Sequence, residues 1–212
     1  EIGVAKMREE LRAGMTEDEL WSILHKTNIA YGDEWIECRI LSSGTRTNPW
    51  MQESSNKIIQ DNEIVSFDTD MVGPYGYCAD ISRTFVVGNK FNNVQKGLYS
   101  MAMDQINHNY RIIKPGLSFK EFIKKSWILP EEYYGNRYSV MLHGIGLCDE
   151  WPAIRYPTDG GQIEGVFEKN MTLTLESYIG KVGGKEGVKL EQQYLVGENG
   201  LELMSHHPLE DI

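Results

Sequence analysis

The stretch Ile64-Val65-Ser66-Phe67-Asp68-Thr69-Asp70-Met71-Val72-Gly73-Pro74-Tyr75-Gly76-Tyr77-Cys78-Ala79-Asp80-Ile81-Ser82-Arg83-Thr84-Phe85 places two apolar-rich runs on either side of a turn. Gly73, Pro74 and Gly76 are turn formers. The runs Glu63 to Val72 and Asp80 to Val87 are therefore predicted to pair as an antiparallel hairpin. Asp68 and Asp70 close the first run, and residues two apart in a strand share a face. Asp80 opens the returning strand and can come close to both. Like charges on adjacent buried strands cost free energy unless something compensates them. Divalent cations are the natural compensation.

Working outward from this hairpin, the same order of elements occurs twice. Residues 1–13 carry Ile2, Val4, Met7 and Leu11 near one helical face, and Gly14 ends that helix. Thr16 and Glu19 form a capping-box pattern for a second helix reaching about Tyr31. Trp35 to Leu41 is a candidate strand leading to the hairpin. Downstream, a helix is predicted from Asn93 to Ile113, stopped by Lys114-Pro115-Gly116. Ser118 and Glu121 cap another that reaches about Trp127. Met171 to Tyr178 and Val188 to Val196 are strands, with Lys181-Val182-Gly183-Gly184-Lys185 as the turn between them. Each half runs from helices into a strand pair. The expectation is an α+β architecture with pseudo-duplicated halves, in one domain spanning residues 1–212.

Three further polar residues stand in apolar surroundings. Glu176 closes Thr172-Leu173-Thr174-Leu175, Glu191 closes Val188-Lys189-Leu190, and His143 lies in Leu142-His143-Gly144-Ile145-Gly146-Leu147. Taken singly, a strand carboxylate usually faces solvent and a histidine is usually a hydrogen-bonded core or surface residue. Taken as an ordered set with the aspartates, they read as a metal site. Asp, Glu and His ligands suit iron, manganese, cobalt or zinc. His25, His108, His206 and His207 have no ligand partners in this pattern.

Composition narrows the class. The chain is 41% hydrophobic and 25% charged, as soluble globular proteins are, and no run approaches the ~20 apolar residues of a membrane helix. A net charge of −10 argues against nonspecific nucleic-acid binding, which needs clustered Lys and Arg. Cys38, Cys78 and Cys148 are too few and too scattered for a disulfide framework or a thiolate zinc site. They fit a reducing compartment. With no signal or transit pattern at its start, the chain is expected to be cytoplasmic. It opens at Glu1 directly in a helical pattern, as a fragment or processed product would.

The segment Gly76-Tyr77-Cys78-Ala79-Asp80-Ile81-Ser82-Arg83-Thr84-Phe85, followed by His143-Gly144-Ile145-Gly146-Leu147, Glu176 and Val188-Lys189-Leu190-Glu191, resembles the pita-bread superfamily over nearly the whole chain. That superfamily contains methionine aminopeptidase, Xaa-Pro peptidases and creatinase. The resemblance implies the pita-bread fold, with its helix and antiparallel-strand halves around a curved sheet. It also implies two metal ions held by two Asp, one His and two Glu. There are departures. Where the peptidases carry their first ligand Asp, this chain has Thr69, flanked by Asp68 and Asp70. Where they carry a histidine after proline, Pro49 is followed by Trp50. Where they carry another histidine beyond the ligand His, Glu150 stands here, preceded by Asp149.

This combination is similar to the dimethylsulfoniopropionate lyases built on the same fold. By that resemblance the metal ligands would be Asp68, Asp70, Asp80, His143, Glu176 and Glu191. Asp149 and Tyr138 would be catalytic, and Trp50, Tyr138 and Trp151 would hold a sulfonium cation on their aromatic faces. The implied reaction is β-elimination to dimethyl sulfide and acrylate. The implied cofactors are two divalent metal ions, with iron favoured. The implied assembly is a homodimer with an N-terminal domain that is not in this chain, and the partner is a small molecule, neither nucleic acid nor membrane. The alternative is a dinuclear Xaa-Pro type metallopeptidase.

Overall fold

A computed structural model describes residues 1–88 and 90–212. The chain begins with two packed helices, α1 (Ile2–Glu10) and α2 (Glu17–Ala30). Thr16 caps α2 as its sequence predicts: Glu19 N donates to Thr16 Oγ1 at 3.1 Å, and Thr16 N donates to the Glu19 carboxylate at 2.7 Å. The strands β1 (Trp35–Ile36), β2 (Leu41–Ser43), β3 (Ile64–Phe67), β4 (Met71–Val72), β5 (Cys78–Ala79) and β6 (Arg83–Val86) follow. They form two antiparallel sheets, ordered β2-β3-β6 and β1-β4-β5. The second half opens with α3 (Asn93–Ile112), α4 (Phe119–Lys125) and the short α5 (Glu131–Tyr134). Both long helices start on capping boxes, from Asn92 with Gln95 and from Ser118 with Glu121. Then come β7 (Val140–Gly144), β8 (Ala153–Arg155), β9 (Thr172–Gly180), β10 (Gly187–Val196) and β11 (Leu201–Leu203), in an antiparallel sheet ordered β11-β10-β9-β7-β8.

Each sheet buries one face against its own helices. Leu41, Val65, Phe67 and Phe85 pack with Val4, Met7, Leu20, Trp21 and Leu24 of α1 and α2. Leu173, Leu175, Ile179, Val188 and Leu190 pack with Leu98, Tyr99, Ala102 and Ile106 of α3 and with Phe122 of α4. The two halves meet where β10 runs beside β6. There Glu191 N donates to Ser82 O at 3.1 Å, and Lys189 N donates to Thr84 Oγ1 at 3.0 Å. The period-2 rule then turns Glu176, Lys189 and Glu191 away from the helices, toward the seam between the halves.

Two predicted strands are interrupted and a third starts late. Trp35 to Leu41 is broken into β1 and β2, because β1 pairs with β4 while β2 pairs with β3 in another sheet. The run Glu63 to Val72 divides at Asp68-Thr69-Asp70, where Asp70 adopts φ +37°. The two aspartates are therefore not alternate residues of one strand, and the face-sharing argument for them fails. Asp80 likewise lies in the link between β5 and β6. The segment around His143, read from sequence only as a Gly-flanked apolar stretch, is the strand β7. No helix of the described residues is long and apolar enough to cross a membrane.

Candidate metal centre

Asp68, Asp70, Asp80, His143, Glu176 and Glu191 are all buried, and they converge on the seam. Glu176 and Glu191 sit directly opposite each other across β9 and β10. His143 is paired with Thr174 on the neighbouring strand, two residues before Glu176 and so on the same face. His143 Nε2 lies 3.2 Å from Glu176 Oε1, 3.3 Å from Glu191 Oε1 and 3.6 Å from Asp80 Oδ2. His143 Nδ1 is 3.1 Å from the Gly144 carbonyl oxygen, a contact that suits a proton on Nδ1 and leaves Nε2 free as a ligand.

Two groups have ligand geometry. Asp80, His143 and Glu191 offer atoms within 4.8 Å of one another, and so do Asp70, Asp80 and Asp149. Asp80 belongs to both, as a bridging carboxylate would. Several atoms of the site are orphans: His143 Nε2, Glu176 Oε2, Glu191 Oε1 and Asp149 Oδ2 are buried without a hydrogen-bond partner. Buried polar atoms are seldom left so, and metal ions would satisfy them. The donor set therefore fits hard or borderline divalent cations.

The electrostatics agree. Burial, with the neighbouring acids, pushes the Asp70 and Glu176 carboxyls up to about 8, and the Asp80 carboxyl well above the usual carboxylate range. So many carboxylates share too few cations for all to ionise, a frustration that divalent ions relieve. Glu191 alone goes the other way: burial opposes its ionisation, but Lys189 and His143 more than offset this and hold it well below the ordinary value.

Three residues to which the sequence reading gave no role shape the site. Thr69 accepts from Ile81 N at 2.9 Å, and its hydroxyl lies 3.3 Å from Asp80 Oδ1, holding that carboxylate in place. Ser82 Oγ lies 2.6 Å from Asp68 Oδ1 and 2.9 Å from Glu191 Oε2. Lys189, fully buried, sends its ammonium into the cluster, 2.9 Å from Asp68 Oδ2. The signal for Lys189 was present in the sequence: it lies two residues before Glu191 in one strand, so the two must share a face. With Ser82 on one oxygen and Lys189 on the other, Asp68 is the most fully engaged carboxylate of the set.

The remaining predicted residues separate into two places. Trp50 is buried and stacked on Tyr178, with ring centroids 5.8 Å apart, and Tyr138 packs against the same cluster. The Tyr138 hydroxyl contacts Glu150 Oε1 at 3.3 Å, and burial, with the nearby glutamates, holds it protonated far above its ordinary range. Asp149 Oδ1 lies 3.7 Å from His143 Nδ1. Its carboxyl is pushed up to about 6 by burial, against the lowering influence of His143. Trp151 is 63% exposed and lines an apolar groove of about 350 Å³ with Phe119, Leu147, Pro152 and Phe167, away from Trp50 and Tyr138.

The chain belongs to metallopeptidase family M24, whose family model matches residues 1–198. That family is metal-dependent, and the buried acids and histidine here are groups that could hold a metal. It is 43% identical over 219 residues to dimethylsulfoniopropionate lyase DddP of Roseovarius nubinhibens, covering 99% of this chain and 49% of that protein. It is 39% identical to DddP of Roseobacter denitrificans, with the same coverage. The chain spans about half the length of these curated relatives. Among solved structures, the Xaa-Pro dipeptidase from Bacillus anthracis superposes with a TM-score of 0.84 at 27% identity, covering 99% of this chain and 58% of that one. The architecture is the α+β pita-bread fold that the sequence implied.

Proposed function

We propose that this chain is the metal-binding part of a lyase that converts dimethylsulfoniopropionate to dimethyl sulfide and acrylate. The observation that carries the reading is the wall beside the carboxylates. Aromatic Trp50 and Tyr138 stand there, with acidic Asp149 against His143. Where the peptidases carry histidines for handling a peptide's carbonyl and leaving amine, this chain has Trp50 and Glu150. The 43% and 39% identities to proteins described as dimethylsulfoniopropionate lyases point the same way.

In this reading Asp70, Asp80, His143, Glu176 and Glu191 hold two divalent ions, with Asp68 as a further ligand or support. Iron is favoured by the resemblance. When bound, the ions would act as Lewis acids toward the substrate carboxylate and stabilise charge developing beside it. The chain's own residues do the rest. Asp149, whose pKa of about 6 makes its carboxylate a stronger base than an ordinary aspartate, takes the proton alpha to the substrate carboxylate. The Cβ–S bond breaks with its electron pair leaving on sulfur, and acrylate remains. Trp50 and Tyr138 offer π-faces to the sulfonium, a contact worth roughly 0.5–2 kcal/mol. Tyr138, held protonated, can donate a hydrogen bond but cannot serve as the base. A homodimer with an upstream domain completes the proposed assembly.

The test is headspace measurement of dimethyl sulfide from the full-length, metal-loaded protein given dimethylsulfoniopropionate. Absence of product overturns the reading. Xaa-Pro peptide cleavage, favoured by the likeness to the dipeptidase, would instead release proline from a dipeptide substrate. Asp149→Asn is expected to lower turnover about 100-fold or more while leaving metal content unchanged. Loss of metal in that variant would make Asp149 a ligand, as its grouping with Asp70 and Asp80 allows.

A further inference from the structure

Lys189 is fully buried, and no step above uses it. Its ammonium stands 2.9 Å from Asp68 Oδ2, 2.5 Å from Glu176 Oε2, 3.3 Å from Glu191 Oε2 and 2.6 Å from Ser82 Oγ. Each glutamate is thereby divided. The Oε2 atoms face Lys189, while the Oε1 atoms face His143 Nε2 at 3.2 and 3.3 Å. The strand register enforces the arrangement, because Glu176 is paired with Glu191 and Tyr178 with Lys189. Trp50 and Tyr138 wall the ammonium on the other side, with ring centroids 5.5 and 5.4 Å from Nζ. Ser82 cannot do the same work, since its hydroxyl carries a single proton for two carboxylates.

We infer that Lys189 is a positioning residue of the metal centre: its ammonium hydrogen-bonds one oxygen each of Asp68 and Glu191 and pairs by charge with Glu176 Oε2, and so biases the other glutamate oxygens toward the side where His143 Nε2 stands. This rests on the reading of those carboxylates as metal ligands. A glutamate oxygen held by an ammonium is a poorer donor to an ion than its free partner, although each oxygen keeps a second lone pair. Lys189 therefore biases which oxygens the site presents, in the way that outer partners tune a metal's ligands. It also supplies a permanent positive charge among buried acids, and removing one partner of such a buried pair is strongly destabilising.

The experiment uses the full-length protein loaded with Co²⁺, whose visible absorption reports coordination number. Titration of the parent first tests the ligand reading by itself: no Co²⁺ uptake overturns that reading, and this inference with it. Given uptake, Lys189→Met removes the ammonium from both Oε2 atoms and leaves only Ser82 Oγ on that of Glu191. Coordination number should rise, and absorption per bound Co²⁺ should fall about twofold or more. Lys189→Arg keeps the cation and should stay near the parent. A folded Lys189→Met protein with the parental spectrum overturns the inference, as does an equal loss in Lys189→Arg. Should Lys189→Met not fold, Asp68→Asn/Lys189→Met removes one buried anion along with the cation. It should fold and show the same weakening relative to Asp68→Asn alone. Failure of this double variant to fold overturns the inference too, because charge balance would then not be what Lys189 supplies.

Discussion

Glu176 and Glu191 face each other directly across two strands, a pairing that like charges oppose. Its persistence in the fold is a local argument for cations at that point. The outer groups matter as much as the ligands. Thr69 Oγ1 accepts from Ile81 N at 2.9 Å and contacts Asp80 Oδ1 at 3.3 Å. Thr69→Val keeps the shape and deletes the hydroxyl. It is expected to weaken metal binding about 10- to 100-fold, read by competition with a chromophoric chelator; unchanged affinity would remove Thr69 from the site. Trp50→Leu, by contrast, should leave metal affinity alone and raise KM for the sulfonium substrate by about 2- to 30-fold, matching the loss of a cation–π contact. Residues such as Glu176 were legible because a carboxylate in an apolar strand is conspicuous. Lys189 was less conspicuous: a lone lysine in an alternating strand reads as solvent-facing unless its spacing of two from Glu191 is followed through.

The element that decides the site is β7, which carries His143 between Leu142 and Gly144. Gly144 is required there: an added Cβ would collide with the Trp151 carbonyl oxygen and lie 2.7 Å from Pro152 Cδ. Gly144→Ala is therefore expected to push β8 away from β7 and tilt the His143 ring. Overpacking of this kind costs about 1–3 kcal/mol, which lowers Tm by about 2–12 °C for a chain of this size. Calorimetry beside a metal titration checks both effects; an unchanged Tm would mean that the β7–β8 contact yields freely. Capping boxes at Thr16 and Ser118 were legible because their hydrogen bonds are local. The division of 64–72 into two strands was not, because it depends on which distant strand each part pairs with. Asp70, at φ +37°, lies at that division. Asp tolerates the left-handed region better than most residues, so no unusual residue type marks the break.

At the scale of the molecule, the two helix-backed halves bring their polar faces together along β6 and β10. Period-2 alternation and helix–strand order made that duplication readable, whereas the closure of one half upon the other depends on side chains such as Thr84, which bonds to Lys189 across the seam. The closure gathers carboxylates faster than it gathers cations. Of the acids at the seam, Asp68, Asp70, Asp80 and Glu176 are all driven toward their protonated forms, burial being the largest cause for each. The metals should therefore stabilise the whole domain and not only the site. A ligand present at 100 times its Kd contributes about 2.7 kcal/mol to folding, equivalent to about 5–11 °C in Tm for a domain of this length. Exhaustive chelation should lower Tm by at least that amount, and returning a divalent ion should restore it. The same protocol applied to Lys189→Met should begin from a lower metal-free Tm, because the Lys189 charge is gone from the cluster. If chelation leaves Tm unmoved while removing measurable metal, the seam is held by its hydrogen bonds and apolar faces alone, and the acids at its centre carry no net strain for the ions to relieve.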